Sequence, residues 1–141
     1  MILFLLVTCQ YGYAQRHRGE FSPERFQAEL EQYITQKAGL SPSEASRFFP
    51  VYSEMMKKQR ALHEKIRCMK RIKPVTDAEC KKNIQSRDAI DMEIRQLQKL
   101  YHGKFMKILS PSKVYDILNA EDQFHRQAFK RAANRFGKKR K

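Results

Sequence analysis

The sequence has no tryptophan and only five glycines, five prolines and three cysteines in 141 residues. The glycines are scattered, so no glycine-rich loop is available to cradle a phosphate group. No two cysteines have the Cys-x-x-Cys spacing, and His63-Glu64 begins a zinc-protease motif in which Arg67 replaces the second histidine. We therefore expect no enzyme: no catalytic residues, no cofactor and no metal site.

Histidines are also few and are spaced far apart. A metal site needs three or four ligands that converge in space, and the histidine spacing shows no such set. We expect solvated surface side chains, although His63 and His102 could be neighbours across a helical hairpin. The four histidines are His17, His63, His102 and His125.

Long hydrophobic runs are missing, since the apolar run near the start is far shorter than the roughly 20 residues that span a bilayer. Residues 1–14 carry no charged side chain, and Gly12 and Ala14 are small residues before Gln15. This pattern predicts a signal peptide cleaved before Gln15, and hence export to the periplasm. A buried N-terminal segment is the alternative, and a lipoprotein cut before Cys9 is weaker.

Acidic residues are scarce, with 15 against 29 lysines and arginines and a net charge of +14. From Arg126 to the end of the chain there are eight basic residues and no acidic one. A nucleic-acid partner, an acidic client, an anionic lipid surface or simply a solvated helix end would all fit such a charge run. The candidate basic binding surface is Arg126, Lys130, Arg131 and Arg135, followed by a basic tail at 138–141.

Apolar residues recur at the 3.6-residue spacing of helices, and no stretch alternates like a strand. We predict an all-α fold with a basic lead-in at 15–21 and a single helical domain at 22–137. Two helices of about 30 residues, each roughly 45 Å long, should form an elongated antiparallel hairpin with two shorter flanking helices. The predicted helices run from Pro23 to Ala38, from Pro42 to about Ile72, from Thr76 to Ile108 and from Pro111 to Gly137.

Two cysteines remain once Cys9 leaves with the signal peptide. Cys68 and Cys80 lie six positions before and after Pro74, the predicted turn of the hairpin. Positions equally far from the turn lie at the same height, where Cα atoms can come within the distance that a disulfide needs. We predict a disulfide in an oxidising compartment, with two buried free thiols as the alternative.

The motif Leu-Ser-Pro-Ser occurs twice, at Leu40–Ser43 and again at Leu109–Ser112. Serine is a good N-cap and proline fits the first helical turn, so each copy predicts a helix start. In the first copy Ser41 and Glu44 complete a Ser-x-x-Glu capping box. In the second copy Lys113 takes the place of the glutamate, so the box is incomplete.

These two motifs resemble the paired Leu-Thr-x-x-Gln motifs of the Spy/CpxP family of small periplasmic helical proteins. The chain is most similar to a divergent branch called sensors of ECF-type sigma factors, or periplasmic heavy-metal sensors. It departs from the motif by serine for threonine and by Glu44 and Lys113 for glutamine. The residues that carry the resemblance are Leu40, Ser41, Glu44, Phe49, Pro50, Tyr52, Leu109, Ser110, Lys113, Glu121 and Phe124.

The resemblance implies a non-enzymatic envelope-stress protein that binds unfolded or regulatory protein segments. Methionines at Met55, Met56, Met69, Met92 and Met106 fit an adaptable binding surface, although core filling is the expected role of most of them. Apolar stripes along two thin helices also favour a homodimer. The alternative is a sensor or modulator of an envelope-stress or ECF sigma-factor pathway, with or without a response to metals. A basic nucleic-acid-binding protein ranks third, since a signal peptide argues against it.

Overall fold

The computed structural model describes residues 22–138, with side chains described through residue 135. This part of the chain forms helices without strands, as the periodicity predicts, so the all-α class is confirmed. The predicted signal peptide, the basic lead-in and residues 139–141 lie outside the described residues. The helices are α1 (Pro23–Ala38), α2 (Pro42–Arg71), α3 (Asp77–Ile108) and α4 (Pro111–Lys138).

Side-chain caps set the helix starts where the sequence places them. The Ser22 hydroxyl accepts from the backbone of α1, and complete capping boxes begin α2 at Ser41 and α3 at Thr76. Gly39 ends α1 in the left-handed conformation, with φ of 59°. Gly137 stays helical and α4 runs through it to Lys138, so the predicted stop at Gly137 is wrong. A glycine ends a helix when its backbone turns left-handed, as Gly39 does.

The helices pack as two antiparallel pairs, α2 against α3 and α1 against α4. Both Leu-Ser-Pro-Ser turns lie at one end, which we call the proximal end. The α2–α3 loop at residues 72–76 marks the opposite, distal end. The predicted long hairpin is thus α2 with α3. Of the two flanking helices only α1 is short, at 16 residues, whereas α4 has 28 residues and nearly matches the 30 of α2.

The core lies near the proximal end, where all four helices contribute to it. Its largest side chains are aromatic, and the Phe48 and Phe105 centroids are 4.9 Å apart in an edge-to-face contact. Toward the distal end the buried core narrows to Leu62, Ile66 and Ile94 of the hairpin alone. The largest fully buried side chains include Tyr52, Tyr101, Phe48, Phe105, Leu30, Ile34 and Ile117.

The disulfide predicted between Cys68 and Cys80 is not formed, because both thiols are free. Cys68 is exposed and its thiol lies 3.7 Å from a carboxylate oxygen of Glu64 on its own helix. Cys80 is half-buried in the first turn of α3. The prediction is therefore wrong for this structure.

The register of the hairpin explains this error. Equal heights were expected for residues that lie symmetrically about Pro74. Across the hairpin, however, the side-chain amide of Asn83 donates to the Met69 carbonyl at 3.4 Å. That pair is symmetric about Thr76, so the two helices are offset along each other and the cysteines do not face one another.

Lys113 joins the two Leu-Ser-Pro-Ser turns at the proximal end. Its ammonium forms an ion pair with Glu44, the capping-box residue of the other turn. It also donates to the Gly39 carbonyl at 3.2 Å, at the end of α1. The residue that leaves the second box incomplete thus bridges the two repeats instead. The Lys113 side chain, together with the Ser41 backbone amide, lowers the pKa of Glu44 from 4.5 to about 2.

We predict that Glu44→Gln lowers the thermal unfolding midpoint at pH 7 and has little effect near pH 2. Glutamine can still complete the capping box, so the variant removes mainly the charge. Because folding lowers the pKa of Glu44 from 4.5 to about 2, its stabilisation is complete above pH 4.5 and is lost as the pH falls toward 2. Circular dichroism melts at both pH values measure this.

Lys113→Gln provides the matched test of the ion pair. If the pair is responsible, Glu44→Gln should cost much less in the Lys113→Gln background than in the original chain. Additive effects of the two substitutions, or an equal loss from Glu44→Gln at both pH values, would contradict the assignment.

Candidate functional site

An open groove of about 860 Å³ lies between the two helix pairs, on the distal side of the core. All four helices line it, and it begins where α1 starts. Its lining from α1 and α4 is Pro23, Phe26, Gln27, Leu118, Glu121, Asp122 and His125. Its lining from α2 and α3 is Met55, Met56, Gln59, Arg60, His63, Glu64, Arg67, Arg95, Gln98 and His102.

Apolar side chains continue the core into this groove. Met55 is 2 % exposed, while Met56 and Leu118 are half-buried and pack against the core cluster. Phe26 packs edge-on against Phe124 with ring centroids 5.2 Å apart. Unbranched methionine side chains adapt to irregular surfaces, so this lining can accommodate apolar groups of varied shape.

Charged side chains of both signs surround the apolar part. Arg60 and Arg67 of α2 and Arg95 of α3 line the groove on its hairpin side, and all three are exposed. Glu64 forms an ion pair with Arg67 on the same helix, at 2.9 Å. The groove therefore combines thioether and aromatic surface with long, flexible cationic side chains. Such a mixture can contact both the apolar and the acidic side chains of a protein segment.

Three of the four histidines line this groove, which the spacing alone did not predict. His63 and His125 are exposed and His102 is half-buried, whereas His17 lies outside the described residues. Among residues 22–135 no group of three His, Cys, Asp or Glu side chains is arranged to hold a metal ion. The histidines thus share a groove without converging on a ligand site.

His125 is paired with Glu121 one turn earlier on α4. The Nε2 atom lies 3.8 Å from a Glu121 carboxylate oxygen. Interaction with the Glu121 carboxylate raises the pKa of His125 above its ordinary 6.5, against the opposing effect of partial burial, and Asp122 adds to the rise. The groove therefore contains a histidine whose charge is favoured by its acidic neighbours.

The residues of the family resemblance fall into two places. Most lie at the proximal end, where Leu40 and Leu109 are buried and Ser110 accepts from the Lys113 amide at 3.4 Å. Their roles there are capping and packing. Glu121 and Phe124 instead lie at or beside the groove. The resemblance thus identifies mainly structural residues, and most of the groove lining carries no motif.

Phe49, Pro50 and Tyr52 belong to the proximal half of α2. Tyr52 is fully buried, and its desolvation raises the pKa of its hydroxyl, with the nearby Glu121 carboxylate adding to the rise. Phe49 is half-buried beside Tyr52, with ring centroids 6.3 Å apart. Pro50 is exposed within α2, which continues through it. Tyr52 therefore belongs to the core, and Phe49 packs against it.

The candidate basic surface is an exposed helix end. Arg126, Lys130, Arg131 and Arg135 are all solvent-exposed on the distal half of α4. The Arg131 guanidinium lies 5.8 Å from the centroid of Phe124, where the helix leaves the core. Beyond Phe124 every described α4 side chain is exposed except that of Ala128, which is half-buried. The basic residues Arg126 to Arg135 therefore belong to a helix that extends past the core.

Comparison of the chain with protein-family models, with curated proteins and with solved structures finds no match in any of the three. The resemblance to the Spy/CpxP family therefore stays a prediction from the motif residues. Within residues 22–138, no helix is both long enough and apolar enough to cross a membrane.

We predict that Glu121→Gln lowers the pKa of His125, because it removes the carboxylate that favours the charged imidazole. In the original chain that pair stabilises the fold below about pH 6.5, and the contribution is lost as the pH rises through the raised pKa. Histidine ring signals followed by NMR across this range give the pKa directly. Glu64→Gln, at another carboxylate of the groove, is the control. A His125 pKa that responds equally to both variants would contradict the assignment.

Proposed function

We propose that this chain is a non-enzymatic, exported envelope-stress protein of the Spy/CpxP type, which binds unfolded segments of other proteins without ATP. The groove carries this proposal, since it presents apolar and cationic side chains from all four helices on one open surface. Unfolded segments expose apolar and acidic side chains together. A surface that offers thioether and guanidinium groups can contact both without requiring one fixed shape.

The arrangement of the core supports the same proposal. The aromatic cluster at the proximal end anchors the helices, while the groove lies where that packing ends. A binding surface on such a scaffold can adjust to different segments at little cost to the fold. A sensor of a single regulatory partner would use the same surface, so the range of clients distinguishes the two roles.

We predict that the purified chain slows the aggregation of an unrelated denatured protein, and that Met56→Gln/Arg60→Gln weakens this activity. The two substitutions remove one half-buried thioether and one exposed cation from the groove. Contact residues of this kind contribute about 1 kcal/mol each, so client affinity should fall by about tenfold or more. Light scattering of the aggregating substrate measures the effect.

The matched control is Arg47→Gln/Met106→Gln near the proximal end, where Arg47 is exposed and Met106 is 49 % exposed. This pair makes the same chemical changes outside the groove and should leave the activity intact. Equal loss in both variants would remove the groove from the proposal. Capture of one partner with no effect on unrelated substrates would replace the chaperone role by the sensor role.

A homodimer is the second part of the proposal. Distal to the core, the hairpin buries only a three-residue cluster, and Ile84, Met92 and Leu100 of α3 are more than half exposed. A second copy would cover part of this apolar surface and would enlarge the surface offered to clients. The interface is expected along the hairpin rather than at the well-packed proximal end.

We predict a dimer mass by light scattering at tens of micromolar, roughly the range in which a micromolar dimer forms. Leu100→Glu, at a side chain that is 58 % exposed, should shift the population toward monomer because it places a charge in the interface. Tyr115→Glu on α4 is the control. A strictly monomeric mass for the original chain would contradict the dimer.

A further inference from the structure

Among the side chains that the structure describes, the three most exposed large apolar ones all lie toward the distal end. They are Val75, Phe129 and Ile72, with exposed fractions of 91 %, 77 % and 76 %. Ile72 and Val75 belong to the α2–α3 loop, and Phe129 lies on the distal half of α4. Exposed apolar side chains that occur singly are common on protein surfaces. What distinguishes these three is the cations that flank them in the sequence.

Cations surround each of these side chains. Lys70, Arg71 and Lys73 flank the loop residues, and all three are exposed. On α4, Phe129 is followed directly by Lys130 and Arg131, and the helix has no acidic residue after Asp122. Exposed apolar and basic groups therefore occur together twice, on two separate elements of the distal half.

The loop holds its apolar residues in an ordered backbone. The Glu79 carboxylate accepts from the Val75 amide at 2.9 Å and from the Thr76 amide at 3.1 Å. These two bonds fix the backbone beside α3 while the Val75 side chain stays in solvent. The Glu79 carboxylate is thus occupied by backbone amides. The exposed side chains that flank the loop are then three cations, Lys70, Arg71 and Lys73, and one carboxylate, Asp77.

We propose that the distal end docks on the surface of an anionic lipid bilayer. Lysines and arginines near an anionic surface attract its headgroups, and neighbouring aliphatic and aromatic side chains enter the interface. A bilayer needs no shaped pocket, which fits side chains that protrude singly from a loop and from a helix end. Membrane attachment here is peripheral.

Charge alone would also attract nucleic acid, but the apolar side chains favour the bilayer. Phosphate groups pair with the cations of α4 equally well, yet a nucleic-acid backbone offers no apolar phase for Ile72 and Val75. Substitution of the apolar residues therefore separates the two partners. The inference is independent of the proposed client binding, which uses the groove instead.

Flotation of the full chain with vesicles tests the proposal. We expect binding to vesicles of equal parts phosphatidylcholine and phosphatidylglycerol, and much weaker binding to phosphatidylcholine alone. Binding should also weaken in about 1 M salt, where the screening length falls to about 3 Å. Residues 1–14 are apolar and could add a background, but they are the same in every variant.

One variant tests the contribution of the cations to vesicle binding, and a second variant tests the contribution of the apolar side chains. Arg126→Glu/Lys130→Glu should weaken binding to anionic vesicles by about tenfold or more. Val75→Ser/Phe129→Ser should weaken it by about tenfold, since it removes the side chains that enter the interface. Circular dichroism should show unchanged helix content in both, because the four side chains are exposed.

The controls make the same changes near the proximal end. Arg47→Glu/Lys107→Glu alters the charge equally, and Met106→Ser/Tyr115→Ser removes two other exposed apolar side chains. Both controls should bind within about twofold of the original chain, which is the scatter allowed for exposed sites. Equal losses in tests and controls, no binding to anionic vesicles, or binding to DNA without binding to vesicles would each overturn the proposal.

Discussion

The junction at the proximal end is the constraint on which the rest of the fold depends. Two helices end and two begin there, so carbonyl ends and amide ends lie side by side. Lys113 contacts the Gly39 carbonyl at the negative end of α1, and Glu44 lies in the first turn of α2, where an anion is favoured. Each charge thus interacts with a helix end and with the other charge. The ion pair holds the two Leu-Ser-Pro-Ser turns in contact. It thereby fixes the positions of the helices that leave these turns.

The unequal lengths of the helices determine where along the bundle the groove lies. Because α1 has only 16 residues, it stops covering α2 and α3 well before the distal end. Core packing ends near Phe26 and Met55, and the groove begins there. Farther along, α2 and α3 can bury side chains only against each other, as Leu62, Ile66 and Ile94 do. The groove and the exposed distal end therefore arise because α1 is much shorter than the other three helices of the bundle.

The helix starts could be predicted from the sequence because capping depends on neighbouring residues. The register between the two long helices of the hairpin could not. Ser41, Thr76 and Ser110 act on amides within three residues, so the pattern alone identifies them. The contact of Asn83 with Met69 depends on how two long helices slide along each other, and the cysteine pairing failed for that reason. Lys113 looked like a defect in a capping box because its partner Glu44 lies 69 positions away. The groove was missed similarly, since its lining comes from four separate helices.

The distribution of buried aromatic surface also bears on how such a protein can bind. Local stability follows the density of buried apolar contacts, and here that density falls from the proximal cluster toward the distal hairpin. Phe48, Tyr52 and Phe105 fix the turns, so changes in the distal half need not disturb them. A groove placed at this boundary has one rigid side and one more adaptable side. That combination lets a partner segment be accommodated at the adaptable side, while the rigid side limits the entropy lost on binding.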